Sequence, residues 1–384
     1  MANTLSNLIP DVYEALDVVS RELVGAIPGV NRNAKADRLA TGQTLRSSVV
    51  PVNTTATYTP AMSVPAAIDQ TVGNVELSLS KNKYAGFSWT GEEEYGVDQG
   101  PGSMSIQQDQ IAQAFRVLVN EMENDVCDAL ALGASRAYGT AGTTPFATTL
   151  GDSAQAKKIL DDNGAPASGR SLVINTSAGA ALRSLGQLTK ANEAATTMTL
   201  RDGELLSLHG FAVRESAQIY NGTAGTGSSA TTDTAGYAVG ATVLTLASAG
   251  TGTIVAGDIL SFVGDVNKYV VVSGDADVSG GGTVTIAAPG LRIAMSAATK
   301  AITVNATSVR NLAFSANALT LATRLPIFPR QGDLAIDSEI ITDPRTGISF
   351  DLRVYPGDGM VLYRVHALWG WAMEKPEHAA ILLG

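Results

Sequence analysis

The sequence predicts an α+β fold carrying an inserted all-β domain, and three observations support that expectation. Ile111, Phe115, Leu118, Met122, Val126 and Ala129 recur at helical spacing through 105–132. That is a helix of about 28 residues and roughly 42 Å, well beyond the usual three turns. Residues 41–74 are β-branched, proline-broken and almost uncharged, a text that suits an extended two-stranded arm better than a compact lobe. From 220 to 307 the helical period vanishes, leaving short apolar runs spaced by Gly, Asp and Ser.

Taken in order, residues 1–40 open with an amphipathic helix, Pro10 in its first turn and Val12, Leu16, Val19 and Leu23 on one face, ending near Gly25. The arm at 41–74 follows, and an isolated ribbon of this kind is only marginally stable in water, so it needs another chain to lie on. Val75, Leu77 and Leu79 then alternate with Glu76, Ser78 and Ser80. Lys81-Asn82-Lys83 leads on to Tyr84, Phe87 and Trp89, so 75–90 reads as one long strand. The acidic run Glu92-Glu93-Glu94 precedes the turn Gly100-Pro101-Gly102, and Ser105 with Gln108 forms a capping box for the long helix.

Beyond the Gly/Thr loop at 139–144, a helix at 154–162, the turn Asn163-Gly164-Ala165-Pro166, a strand at 171–175 and a helix at 178–187 make a mixed lobe rather than a regular βαβ series. A further strand runs through Gly203, Leu206, Leu208, Gly210, Phe211 and Val213. Within 220–307, strands are expected at 242–246, 259–262, 269–272 and 283–286, making a small sandwich or barrel set into a loop. After it the α/β text resumes with Asn311-Leu312-Ala313-Phe314, then 318–323, then a hairpin in which Phe350, Leu352 and Val354 share a face. There Pro356-Gly357-Asp358-Gly359 turns and 360–370 returns.

The chain has 384 residues, 45% of them hydrophobic and 16% charged, with a net charge of −10, enough to bury a large core beneath a flat, neutral exterior. The acidity and the lack of any basic run argue against tight nucleic-acid binding. The single cysteine, Cys127, excludes an intrachain disulfide and reads as buried filler. No export signal is visible: Arg21 is the first basic residue, and Asn3, Ser6, Asn7, Pro10 and Asp11 interrupt any apolar run. The charge-poor stretch 47–68 holds Pro51, Pro60 and Pro65, and 234–257 is laced with Gly and Thr, so neither reads as a membrane helix.

Catalytic chemistry finds little support. Gly164-Ala165-Pro166-Ala167-Ser168-Gly169-Arg170-Ser171 imitates a phosphate-binding loop, but it joins a helix to a strand, the reverse of the order such a loop needs. His209, His366 and His378 have no second ligand at metal spacing. Consecutive Glu92, Glu93 and Glu94 do not converge on one point, and no Gly-x-Ser-x-Gly elbow is present. The glycine-rich 222–227 and 280–282 lack dinucleotide spacing. No catalytic, cofactor-binding or metal residue is expected, and no cofactor.

Several segments, in order, resemble the major capsid proteins of tailed bacteriophages, especially the podovirus coat-protein branch with an inserted β-domain. They are Val75-x-Leu77-x-Leu79 with Lys83-Tyr84-x-x-Phe87, the long helix, Ile159 to Pro166 with Arg170 to Asn175, and Leu208-His209-Gly210-Phe211-x-Val213-x-Glu215-Ser216. Asn311-Leu312-Ala313-Phe314 with Ala318-Leu319, then Leu368-Trp369-Gly370 and Lys375-Pro376-Glu377, complete them. The resemblance implies an N-terminal arm at 1–40, an extended loop at 41–74, and a peripheral domain at 75–150 with its spine helix at 105–132. It further implies an axial domain beginning at 151–219, the insert at 220–307, and 308–384 completing the axial and peripheral domains.

The implied function is self-assembly into an icosahedral shell around double-stranded DNA, in the virion after assembly in the host cytoplasm. The implied partners are further copies in hexameric and pentameric capsomers, a separate scaffolding protein, a portal protein and a decoration protein, with only weak contact to DNA and none to membrane. Some relatives cross-link through a lysine near the loop tip; this chain has no lysine between Arg46 and Lys81. The rivals are an encapsulin-like compartment shell, a secreted surface-layer or adhesin protein, and an enzyme.

Overall fold

One helix, Ser103–Gly133, is the shared support of two β-sheets. The computed structural model describes residues 24–50, 55, 57–60, 62, 72–98, 103–189, 207–329, 332–343 and 347–384. The expected helix with Pro10, Val12, Leu16, Val19 and Leu23 lies outside them, as do Gly203 and Leu206 and the side chains of Ser105 and Gln108. The spine helix begins two residues before the expected start. Ile111, Phe115, Leu118, Met122 and Val126 are buried as the spacing predicts, and Val119, Cys127, Leu130 and Ala131 join them. The buried stripe is wide because two sheets cover it.

The first sheet has six strands. Asn31–Leu39, Leu319–Pro326, Met360–Met373, Ser349–Pro356 and Asp337–Thr342 follow one another, and Lys81–Thr90 pairs with Met360–Met373. That hub strand pairs along one edge, residues 360–369, with Lys81–Thr90 and divides the other, residues 368–373 pairing with 319–324 and residues 361–366 with 351–356. Its Val365, Ala367 and Trp369 join the spine-helix core, Phe350 meets Phe115 edge-on at 5.2 Å, and the Trp369 indole N–H donates to Asp125 at 2.8 Å. Phe350, Leu352 and Val354 are all buried, as their alternation predicts. The expected single strand at 75–90 is two strands, Gly73–Ser78 and Lys81–Thr90. It divides because the chain changes partners: at Leu79 the backbone still bonds to Gly42 and Gln43 of the arm, and from Lys81 it bonds to the hub.

The second sheet runs Ile302–Val304, Ile259–Phe262, Lys268–Ser273, Arg136–Tyr138, Ala379–Leu383, Ser308–Ser315, Arg170–Ile174 and Ala212–Glu215. Gly151–Asp162 and Thr176–Ser184 cover one face through Ala156, Leu160, Ala178 and Leu182, while Val173, Leu312, Phe314 and Ile381 face the spine helix. Arg170–Ile174 and Ala212–Glu215 are parallel with Thr176–Ser184 between them, a single βαβ crossover in an otherwise mixed lobe. Asn175 caps that helix by accepting from the Ala178 amide.

The 220–307 region is all-β around its own core of Leu244, Leu260, Phe262, Tyr269, Val271 and Leu291. It is more than a lobe set into a loop. Lys268–Ser273 pairs antiparallel with Arg136–Tyr138, so the body's sheet continues into it, and Asn221–Gly222 pairs with Ser308 and Val309, bringing its two ends together. Two buried arginines lock the junction. Arg136 donates to Asn267 at 3.1 Å, Asn163 at 2.9 Å and the Ile159 carbonyl at 3.2 Å; Arg310 donates to the Gly257 carbonyl and lies over the Tyr220 ring.

The chain enters the body as a strap between the spine helix and the second sheet. Glu123, fully buried, accepts the backbone N–H groups of Gly25 at 2.8 Å, Ala26 at 2.7 Å and Ile27 at 2.9 Å. Burial pushes its carboxyl above the usual range, against the pull of these amides and the Ser216 hydroxyl. Gly25 and Gly29 fit here because a Cβ would run into the Glu215 carbonyl or the Ser171 side chain. Truncating Glu123 leaves three buried donors unsatisfied, so Glu123→Ala is expected to lose about 3 kcal/mol. A urea-unfolding midpoint unchanged from wild type would refute this role.

Candidate assembly interface

Thr44–Val49 pairs antiparallel with Gly73–Ser78 from Thr44 opposite Ser78 to Val49 opposite Gly73. Among the described residues the ribbon is anchored at its root, where Leu45, Leu77 and Leu79 pack with Leu39, Ala322 and Leu368 on the sheet face turned away from the spine helix. Arg46 and Glu76 form an ion pair at 3.0 Å, but both are exposed and the pair contributes little. Further out, Val50 is 59% exposed, Tyr58 84% and Val72 57%. The described part of the arm therefore offers apolar side chains to solvent that its own body does not cover.

A matching vacancy lies beside Lys81–Thr90. This strand pairs with the hub on one edge and, among the described residues, with no strand on the other. Between it and the spine helix is an open groove of about 420 Å³, lined chiefly by Ala85, Phe87, Ala114 and Val117, with Gln110 and Gln113 along its side. Val117 is 56% exposed, and the Trp89 indole N–H donates to Gln110 at 2.7 Å. Lys81 and Lys83 tie the start of the strand to Glu121 and Asp125 of the helix at 3.5–3.8 Å. An unpaired edge beside an apolar trough is suited to an added extended segment.

The outward face of the same sheet is polar. Asp351, fully buried, accepts from Arg38 at 2.6 Å and from Arg353 at 2.5 Å, while Arg353 also reaches Asp333 at 3.1 Å. Both guanidinium groups lie over the Phe328 ring, at 3.8 and 4.3 Å. The Tyr355 hydroxyl donates to Asp333 and, with the Leu334 amide and Arg353, holds that carboxyl below the usual range. Nearby His366 is pushed down to about 4, first by burial and then by Arg353.

The sequence-singled residues do not converge. Arg170 turns back on its own loop, donating to the carbonyls of Pro166 and Ala165 at 2.7 Å and pairing with Asp161 at 2.7 Å, so the phosphate-loop imitation is an arginine-locked turn. His209 meets the Ser153 hydroxyl at 2.8 Å, His366 sits on the outward face, and His378 ends the short turn Pro376–His378 that leads into Ala379–Leu383. The acidic run falls in a helix, Gly91–Asp98, and the expected turn Gly100-Pro101-Gly102 after it lies outside the described residues. Glu93 bonds back to the Thr90 amide and hydroxyl at 3.0 and 2.9 Å, an unanticipated capping box.

Cys127 is buried. Gly222 lies in a short strand and 280–282 leads into Gly282–Ile286. Among the described residues no three His, Cys, Asp or Glu could hold a metal, and no helix is long and apolar enough to cross a membrane. Sequence reasoning missed Glu123, although Val119, Glu123 and Cys127 share a helical line; Asp351 gave no signal, being one polar residue in an alternating strand.

His366 gives a pH prediction. Its folded value near 4 lies below the ordinary 6.5, so between those limits the unfolded chain binds the extra proton and stability rises with pH. His366→Gln is expected to flatten this part of the profile relative to wild type. Parallel thermal-melt profiles from pH 4 to 7 would contradict the assignment.

No family model matches the chain, and no curated protein matches it. Solved structures do. One from Mycobacterium phage Che8 is 14% identical, covers 89% of this chain and 85% of its own, and superposes with a TM-score of 0.50. The asymmetric unit of the bacteriophage PhiM1 mature capsid is 10% identical, covers 92% and 85%, and also gives 0.50. At such identities the likeness is one of fold, and with the spine helix, the projecting ribbon and the two sheets already in place, it gives the chain the α+β fold of a tailed-phage major capsid protein.

Proposed function

We propose that this protein is the major capsid protein of a tailed bacteriophage, assembling into an icosahedral shell around double-stranded DNA. The observation that carries the reading is the pairing of an uncovered apolar ribbon with an unpaired strand edge and apolar groove in a chain of this fold. In the assembly the arm of one copy lies across the body of the next, and the groove beside Lys81–Thr90 is its receptor. A standard interface buries about 1,600 Å². Contacts of that size can each be weak, while a subunit held by several neighbours gains the effective concentration of a multivalent ligand. Weak single contacts allow misplaced subunits to leave during growth.

Within this reading the capsomers are hexamers and pentamers, a separate scaffolding protein guides closure, and portal and decoration proteins complete the virion. Net acidity keeps contact with packaged DNA weak. The role is structural rather than enzymatic. The division into arm, extended loop, peripheral domain, axial domain and insert at the expected boundaries belongs to the same reading, and the all-β 220–307 region supports the podovirus branch and argues against an encapsulin-like shell.

Expression with a scaffolding partner is expected to give uniform hollow spheres by negative-stain microscopy, and expression alone monomers or irregular tubes. Replacing residues 50–72 by a short turn should preserve the melting temperature yet abolish shells, and Val117→Glu should reduce their yield. Discrete dimers in both expressions, or normal shells from the arm-deleted chain, would sink the proposal.

A further inference from the structure

On the sheet face away from the spine helix, Arg364 lies between two tyrosines, its guanidinium carbon 4.8 Å from the Tyr84 ring centre and 5.4 Å from that of Tyr355. Register explains the arrangement. Gly86 is directly opposite Arg364 and Tyr84 directly opposite His366, and directly paired residues share a face. A Cβ at Gly86 would run into the Tyr363 carbonyl and press on the Arg364 stem, so glycine keeps the space in which that stem lies.

Of the other arginines of this face, Arg38 is neutralised by Asp351 and Arg353 by Asp351 and Asp333, while buried Arg324 donates to the Asn33 carbonyl and side-chain oxygens. Arg364 has no carboxylate partner among the described residues. Two rings steady its planar fork, which lowers the entropy lost on binding and leaves N–H donors for a carboxylate. Tyr84 is 58% exposed, so the stack is open to solvent.

The complementary charge sits at the far end of the same sheet. The Gly91 amide donates to the Gly359 carbonyl at 3.1 Å and so joins the helix start to the hairpin turn, gathering Glu92, Glu93 and Asp358 on one exposed tip. Glu93 is occupied by Thr90, whereas Glu92 and Asp358 have no partner among the described residues. Within one chain the two features stay apart, because the four residue steps from Met360 to Arg364 span about 13 Å and the tip extends beyond Met360.

We infer that the Glu92/Asp358 tip of one copy docks on the Tyr84–Arg364–Tyr355 stack of a second copy, making the stack a carboxylate receptor between subunits. This contact is additional to the arm and its groove, and it rests on the self-assembly reading. Each copy carries both halves, so the contact repeats from subunit to subunit.

The test uses the full-length chain, with shell growth followed by light scattering and microscopy. Arg364→Glu and the pair Glu92→Arg with Asp358→Arg are each expected to raise the critical assembly concentration about tenfold, the effect of roughly 1.4 kcal/mol. Combining all three substitutions should restore assembly. The tip positions are exposed, so the tip variant reports on the contact even where Arg364→Glu disturbs folding. Wild-type assembly by both the tip variant and Arg364→Glu overturns the inference alone, as does a triple variant no better than either parent. Loss of salt-sensitive oligonucleotide binding by Arg364→Glu with unchanged assembly also overturns it, assigning the stack to phosphate. A wild-type chain that never forms shells instead removes the reading on which the inference rests.

Discussion

The buried stripe of Ser103–Gly133 serves two sheets at once, and the rest of the molecule is arranged around that shared surface. Phe115 packs on Phe350 of the first sheet, while Val126, Leu130 and Ala131 share a core with Leu312, Phe314 and Ile381 of the second. Polar groups reinforce the union, because Asp125 receives the Trp369 indole from one sheet and Glu123 receives the entering strap beside the other. A stiff helix with sheets on it makes a body that can bear load from elements projecting beyond it.

Projection is what the arm does. Its root is held by a handful of leucines, and among the described residues farther out Val50, Tyr58 and Val72 are exposed. A two-stranded ribbon gains too little burial for independent stability, so the missing surface must come from elsewhere. Among the described residues the outer edge of Lys81–Thr90 has no strand partner and lies beside an apolar trough. Exposed apolar surface on the described part of the arm and an open apolar trough beside the strand edge are the two features on which the proposed assembly rests.

The all-β region is treated differently from the arm. It has a core of its own, yet a continuous sheet, two buried arginines and the Lys268 ammonium on the Gly139 carbonyl fasten it to the body. Burying arginine is costly unless its donors are used, and here Arg136 spends them across the insert, a neighbouring helix and its cap. Such a junction joins the region to the body through a shared sheet and buried hydrogen bonds.

By itself the sequence determined the long helix, the extended arm, the all-β stretch and the alternation of Phe350, Leu352 and Val354, because each is a local period whose apolar phase fixes which side is buried. It did not determine partners. That 75–90 breaks at Leu79, that the hub strand serves three neighbours, and that Lys268–Ser273 extends the body's sheet are consequences of pairing between residues far apart in the chain, which no local window encodes. The candidate interface divides likewise: composition exposed the arm, whereas the groove, the buried Glu123 and Asp351, and the stacked Arg364 exist only once distant strands and the helix come together. Tertiary structure decided these, since a polar residue's role depends on which donors and acceptors folding brings within reach.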